Sequence, residues 1–512
     1  MLFKFRQRDH SLSDGLFLNI QEFVINPSTS TTVLGFHIDD QLNWKKHIEL
    51  KCISASRLLF AIRHCLSYTW GLNRSRLQDL YKLIVESTIL YGCLVWAART
   101  AYKVVTKKLR SFQRKYAILI LRAFRTTQTE SLLVLSGLLP LNYRIMEITA
   151  IRAIEFNSGN LNFSLSASNF IAKVLVNANL LMPYDRAKCI HLPSTPPWIR
   201  IPSQPIISAT AVSSTLAENP NVTKNFTDRS VGPKGAGYSA AIYDEKGLLF
   251  VIKESLPSYI SIFQAEGFAI LAALKWILQS AYPLTQIFEL YSDSKAAHLA
   301  STPSTAAKST TPFSLIVSIL ATHPNINLFW IPSHSGHQGN DMADKMAKEA
   351  AKYWADPHPP HHMLKAYAKK QISCHINSLW DNEWKTSNAA KSTHDFFPTL
   401  TDAKILDVTP LAYQTLQLLS GHCRLNSYLF RFKHISSPSC TCSQDEEESV
   451  PHYILTYPHY SNQRLSLAHN VLMHGISWPP KFSTFSQSKS LLSALNNFIL
   501  ETNRLNTPPS QT

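Results

Sequence analysis

At 512 residues, with 45% hydrophobic and 11% aromatic positions, the chain is globular in character and too long for one ordinary domain, with length enough for about three or four units. A formal net charge of +16 favours a polyanionic partner, nucleic acid ahead of an anionic membrane. No run reaches about 18 unbroken apolar residues, since Leu77 to Ala97 carries Asp79, Lys82 and Glu86; the start lacks a secretory signal and the 8 cysteines are mostly scattered, so no membrane partner and an intracellular setting are expected.

Residues 1–150 come first, and from about 31 onward they read as a short strand followed by helices, with apolar positions at helical spacing through Leu77, Leu80, Tyr81 and Ile84 and again at Leu109, Phe112 and Tyr116. Lys107, Lys108, Arg110, Arg114, Lys115, Arg122 and Arg125 form a basic run that either tracks phosphates or is a solvated helix face. Residues 151–219, with HLPSTPPWIRIPSQP, lose periodicity and read as a linker. Residues 220–354 change rhythm: three adjacent strands (222–228, 236–243, 248–253), a long helix (260–280), a strand (286–292), shorter helices, a strand (326–331) and a last helix (339–353). This predicts an α/β unit with a mixed sheet. The break WADPHPPHH precedes a helical connector (355–414), a Cys/His region (415–470) and a tail (471–512).

Four acids of the α/β unit draw attention, each with an ordinary alternative. Asp228 ends the first strand, a common place for a turn-forming Asp. Glu266 falls inside the apolar stripe Ile262, Phe263, Ala269, Ile270, Ala273, Leu274 and Ile277, where an unpaired carboxylate is costly; the helix dipole alone is worth only about 0.3–1 kcal/mol. Asp293 follows a strand end, where ligands gather in open α/β sheets, but it also fits as an N-cap for a helix starting at Lys295. Asp341 and Asp344 lie one turn apart and repel each other unless a cation is near. Clustered carboxylates suit Mg²⁺, or Mn²⁺, in phosphodiester hydrolysis.

The stretches TDRS, QAEGFAILAAL, LYSDSKAA and WIPSHSGHQGNDMADKMAKEAA resemble, in order, the four motifs of type I ribonuclease H. The resemblance implies an α/β fold, a ribonuclease H-like five-stranded mixed sheet with flanking helices, set between mostly helical N- and C-terminal regions. It implies metal-binding carboxylates at Asp228, Glu266, Asp293 and Asp344, a catalytic loop histidine at His334, and endonucleolytic hydrolysis of the RNA strand of an RNA/DNA hybrid. Asp341 matches an acidic position without a catalytic role. The chain departs from the family in carrying Arg229 and Ser333 where glycine is usual, and His337 where an apolar residue is usual; Arg229 is placed to pair with Asp228 and compete for it, or to face a phosphate. The alternative is a catalytically silent nucleic-acid-binding remnant. A transposase or integrase is set aside, since those use three acids.

Residues 31–145, through VLGFHIDDQLNWKKHI, YGCLVWA and FRTTQTESLLVLSGLLPL, resemble the segment after the reverse transcriptase core of non-LTR (LINE-type, Jockey-like) retrotransposon polyproteins. No YADD or FADD motif lies upstream, so DNA synthesis by this chain is not expected. Cys440, Cys442 and His452 resemble the carboxy-terminal knuckle of the same elements, with Tyr457 standing where the last Cys belongs. Three ligands define at most a weak zinc site, and a tightly held zinc is not expected; His459 and Cys423 are the candidates for a replacement ligand.

Overall fold

The computed structural model describes residues 18–20, 23–25, 29–39, 41–64, 72–156, 222–232, 235–280, 282–283, 285–301, 311–333, 336–352 and 365–506. Of the linker expected at 151–219, residues 151–156 instead end a helix, Leu141–Phe156, and the rest lies outside the described residues, as does the Pro/His break around 354–362. The chain divides into two compact units, one joining Met1–Arg152 with Ser373–Thr512 and the other containing Leu175–Ile372.

The second unit is the predicted α/β unit. Its strands are β1 (Val222–Gly232), β2 (Gly235–Asp244), β3 (Gly247–Leu256), β4 (Ile287–Ser292) and β5 (Ile326–Trp330). Its helices are α1 (Ile262–Gln279), α2 (Lys295–Ala300), α3 (Thr311–Thr322) and α4 (Gln338–Ala350). The sheet runs β3-β2-β1-β4-β5. The β1–β2 and β2–β3 pairs are antiparallel, as consecutive hairpins allow, whereas β1–β4 and β4–β5 are parallel and need the crossovers that α1 and α2–α3 supply. This confirms the five-stranded mixed sheet.

The register across the central pair sets up the site. Thr227 of β1 is opposite Ser292, the last residue of β4, in a parallel ladder, so the next residues, Asp228 and Asp293, adjoin where β4 ends; β1 itself runs on to Gly232, so Asp228 stands within its strand and does not end it as the sequence suggests. Helix α1 lies across one face of the sheet. A capping box between Ser261 and Gln264 fixes its start, and Ile270, Leu274 and Ile277 pack with Phe288 and Leu290, each fully buried Ile or Leu contributing roughly 1.5–3 kcal/mol. By length and composition α1, rather than the Leu77–Ala97 stretch, is the described helix able to cross a membrane as an unbroken span. Its apolar face is instead spent on this core.

Helix α4 approaches the opposite face very closely. A Cβ added at Gly237 of β2 would stand 2.5 Å from the Ala351 nitrogen and 2.7 Å from the Ala347 oxygen, and one at Gly339 would enter the Phe226 ring. Buried Ala343 and Ala347 keep that face of α4 thin, and the Ser239 hydroxyl donates to the Ala343 carbonyl at 2.5 Å. Small residues on both partners thus bring α4, and Asp344 with it, to the sheet.

The first unit draws one core from chain segments more than 200 residues apart, with Leu109, Tyr116 and Leu132 in the same cluster as Trp384, Phe396, Leu418, Tyr453 and Leu495. Arg110 pairs with both carboxylate oxygens of Glu383 at 2.5 and 2.8 Å, and the Thr393 hydroxyl donates to that of Ser131 at 2.8 Å. The sequence reads these stretches as separate segments. The predicted short strand near residue 31 is a hairpin, Ser30–Val33 with Phe36–Asp39.

Candidate active site

Three of the four predicted carboxylates converge. One ligand oxygen from each of Asp228, Glu266 and Asp293 can be chosen so that all lie within 4.8 Å of one another. Asp228 and Glu266 are almost fully buried, at 5% and 1% exposure. Asp344 stands apart from this group: its carboxylate pairs with Lys348 one turn along α4 at 2.5 Å and is a quarter exposed. It still acts on Asp228 through its charge.

The electrostatics follow from this crowding. Burial, then the Asp293 charge, pushes Asp228 up to about 7, although the Arg229 backbone N–H donates to its Oδ1 at 2.7 Å. Burial, then Asp293 and Asp228, pushes Glu266 up to about 8. Like charges held together in a desolvated place favour the protonated forms unless a cation balances them.

Arg229 does not pair with Asp228 through its side chain. Its Nε lies 3.0 Å from Oε1 of Glu266, on the neighbouring helix α1. The N–H is not aimed at that oxygen, and among the described residues neither oxygen of Glu266 has a hydrogen-bond partner. A buried carboxylate with two unsatisfied oxygens, beside two more carboxylates, fits a hard divalent cation, which takes oxygen ligands. Asp228, Glu266 and Asp293 are the residues that would hold it.

Asp293 is not the cap of α2. Ser294 takes that role, accepting from the Ala297 backbone N–H, which leaves the Asp293 carboxylate free for the cluster. The Ser333 hydroxyl donates to Asp293 Oδ2 at 2.7 Å, and the Trp330 indole N–H donates to the Asp293 carbonyl at 3.0 Å. Neither partner was foreseen from the sequence. His334 lies outside the described residues. His337 occupies the N-cap position of α4 without a side-chain cap bond, and Asp341 sits in the first turn.

A second cluster lies in the other unit. Ligand atoms of Cys440, Cys442 and His452 lie within 4.8 Å of one another, and no other described residue joins them, neither Cys423 nor His459. Cys442 Sγ is 3.2 Å from His452 Nε2, while His452 Nδ1 meets Glu446 Oε2 at 2.7 Å and the Thr456 hydroxyl at 2.9 Å. Tyr457 stacks on the His452 ring, and its hydroxyl is 2.5 Å from that of Thr441.

The basic run of the first unit divides. Arg110 is committed to Glu383, and Arg114 donates to Thr129 and to the Arg125 carbonyl. Lys107 and Lys115 remain exposed, while Lys108 pairs with Glu49 at 3.0 Å.

Comparison with known proteins shows that residues 220–352 match the RNase H family model. Among curated proteins, the Retrovirus-related Pol polyprotein from type-1 retrotransposable element R1 4 of Nasonia vitripennis is 29% identical over 112 residues, which are 22% of this chain and 28% of that protein. The R1 polyprotein of Bradysia coprophila is 28% identical over 107 residues, 21% of this chain and 11% of its own length. The chain thus matches under a third of either relative. Among solved structures, LC11-RNase H1 isolated from compost is 22% identical, with 26% of this chain and 96% of that one covered and a TM-score of 0.22. Its complex with an RNA/DNA hybrid gives 21% identity, 25% and 96% coverage and a TM-score of 0.22.

Proposed function

We propose that the RNase H domain at residues 220–352 hydrolyses the RNA strand of RNA/DNA hybrids with a divalent cation, Mg²⁺ or Mn²⁺, within a protein of retroelement origin. The observation that carries this reading is the convergence of Asp228, Glu266 and Asp293, with neither Glu266 oxygen given a well-aligned hydrogen-bond donor among the described residues. A bound cation would supply Lewis acidity at a phosphate oxygen and ease ionisation of a water. Asp228 within β1 and Asp293 just past the end of β4 adjoin across the parallel ladder, which fixes the spacing of the oxygen ligands, and the Ser333 hydroxyl orients the Asp293 carboxylate through Oδ2. In hydrolysis a water oxygen bonds to phosphorus, one P–O ester bond breaks, and the departing oxygen takes a proton. His334 is the proposed carrier of that proton, and Asp344 the proposed outer carboxylate.

The hybrid would be recognised through RNA 2′-hydroxyls in the wide, shallow minor groove, with little base preference, while exposed basic residues hold the DNA backbone. The contact of Arg229 with Glu266 favours a second reading, a domain that binds hybrids and does not cut them. Cleavage of a labelled hybrid by the full chain separates the two. Asp293→Asn is expected to lower Mg²⁺-dependent cutting by more than about a hundredfold, beyond what loss of an outer partner brings, with hybrid binding largely kept. Absence of cutting by the unaltered chain at any Mg²⁺ or Mn²⁺ concentration, with salt-sensitive binding retained, would establish the silent reading.

A further inference from the structure

The four acids differ in what balances them. Glu266 faces the Arg229 guanidinium, and Asp344 faces the Lys348 ammonium. Among the described residues Asp228 and Asp293 receive only neutral hydrogen-bond donors, the Arg229 backbone N–H and the Ser333 hydroxyl. The chain's own cations therefore sit at two of the four carboxylates, and the open pair is Asp228 with Asp293.

The two cations are unequal. Lys348 is 57% exposed and its partner 26%, so water and salt screen that pair. Arg229 is 38% exposed, but its partner is 1% exposed and has no other donor among the described residues. Taking Arg229 away would leave a buried carboxylate without a counter-charge, which is costly. A divalent ion drawing on Glu266 meets the same guanidinium, which is 3.0 Å from Oε1. Two like charges on one buried carboxylate repel, so the ion and Arg229 compete for Glu266.

We infer that Arg229 is a resident counter-ion that a divalent cation has to displace from Glu266, so that it sets how weakly the site binds metal. This rests on the acidic cluster being a metal site. The side chain has somewhere to go: it is partly exposed, and a guanidinium released from Glu266 keeps its charge and fork of donors for a phosphate brought in by a hybrid. Metal and hybrid would then favour each other's binding, the one releasing the group that the other receives.

The test is Mn²⁺ binding by calorimetry on the full chain, beside the melting temperature of the metal-free protein, for the unaltered chain, Arg229→Ala, Arg229→Gln, Arg229→Lys, Lys348→Ala and Asp293→Asn. The two neutral variants are expected to bind Mn²⁺ about tenfold more tightly, the size of effect one adjacent unit charge has on a carboxylate. Their metal-free melting temperatures fall and their metal-induced rise grows, because metal replaces the missing counter-charge. Arg229→Lys keeps affinity near that of the unaltered chain. Lys348→Ala changes it by less than Arg229→Ala does. Neutral variants that bind no more tightly than the unaltered chain, while Asp293→Asn abolishes binding, overturn the counter-ion role and leave the metal site standing. Binding that is absent, or unaffected by Asp293→Asn, overturns both.

Discussion

Two places in this protein gather three metal-ligand groups within the same 4.8 Å, Asp228, Glu266 and Asp293 in one unit and Cys440, Cys442 and His452 in the other. They differ in what the groups already have. Among the described residues neither Glu266 oxygen has a well-aligned hydrogen-bond donor, and the cluster holds three carboxylates against one misaligned guanidinium. In the thiol cluster His452 is satisfied at both nitrogens, by Cys442 on one side and Glu446 and Thr456 on the other, and buried Tyr457 stacks on its ring. Proximity of ligand types is therefore weaker evidence for a metal than unmet charge. The acidic cluster asks for a cation; the thiol cluster is internally complete.

The sharpest way to break that contrast is to give the thiol cluster what it lacks. Tyr457→Cys would place a fourth soft ligand beside the other three and is expected to raise zinc affinity by more than about a hundredfold, measured by competition with a chromogenic chelator. Desolvation, then the neighbouring Cys440, pushes the Cys442 thiol up to about 11, so zinc must displace its proton, and three ligands repay this poorly. Zinc held as tightly by the unaltered chain as by Tyr457→Cys would show that satisfied hydrogen bonds do not protect the cluster.

A change of pH acts on the acidic cluster next. Its raised carboxylates, Asp228 near 7 and Glu266 near 8, retain protons at pH 6 that a cation must remove. Mg²⁺ or Mn²⁺ affinity is expected to climb with pH by up to about tenfold per unit for each proton displaced, and to level off above about pH 8. Calorimetry in a series of buffers reads this directly. A flat profile between pH 6 and 8 would mean that these acids are already ionised before metal arrives.

How much of this was legible beforehand depends on how far each partner lies along the chain. Glu266 was legible, because a carboxylate inside an apolar helical stripe announces its burial without any structure. The order of strands and helices was legible for the same reason, since periodicity is local. The partner of Arg229 was not: its neighbour Asp228 was the obvious choice, and only the packing of α1 against β1 shows that the guanidinium passes it for Glu266. Asp293 was left between two roles that one residue decides, since Ser294 supplies the cap. The pairing of Asp344 with Lys348 was written in their spacing of one helical turn and went unread. The single core of the first unit lay beyond local reading altogether. Leu109 and Phe396 each report a helix face, and nothing in either stretch says that the two faces meet.

The smallest expected effect tests the same contrast through stability. Burial raises Glu266 from its ordinary 4.5 to about 8, so between these values the folded metal-free protein keeps a proton that the unfolded chain has lost. Folding then takes up a proton, and stability from this group declines as pH rises from 4.5, reaching its lowest contribution above about 8. Glu266→Gln removes the titration while nearly keeping the shape. In the absence of metal this variant should come close to the unaltered chain near pH 5 and exceed it by a few kcal/mol at pH 9, a rise of several degrees in the melting temperature, while losing metal binding. The corresponding change in the other cluster, His452→Ala, strips partners from Cys442 and Glu446 and should destabilise at every pH. A Glu266→Gln protein less stable than the unaltered chain at pH 9 would mean that Arg229 offsets the whole cost of ionising Glu266, and the distinction between an incompletely balanced and a satisfied cluster would lose its basis.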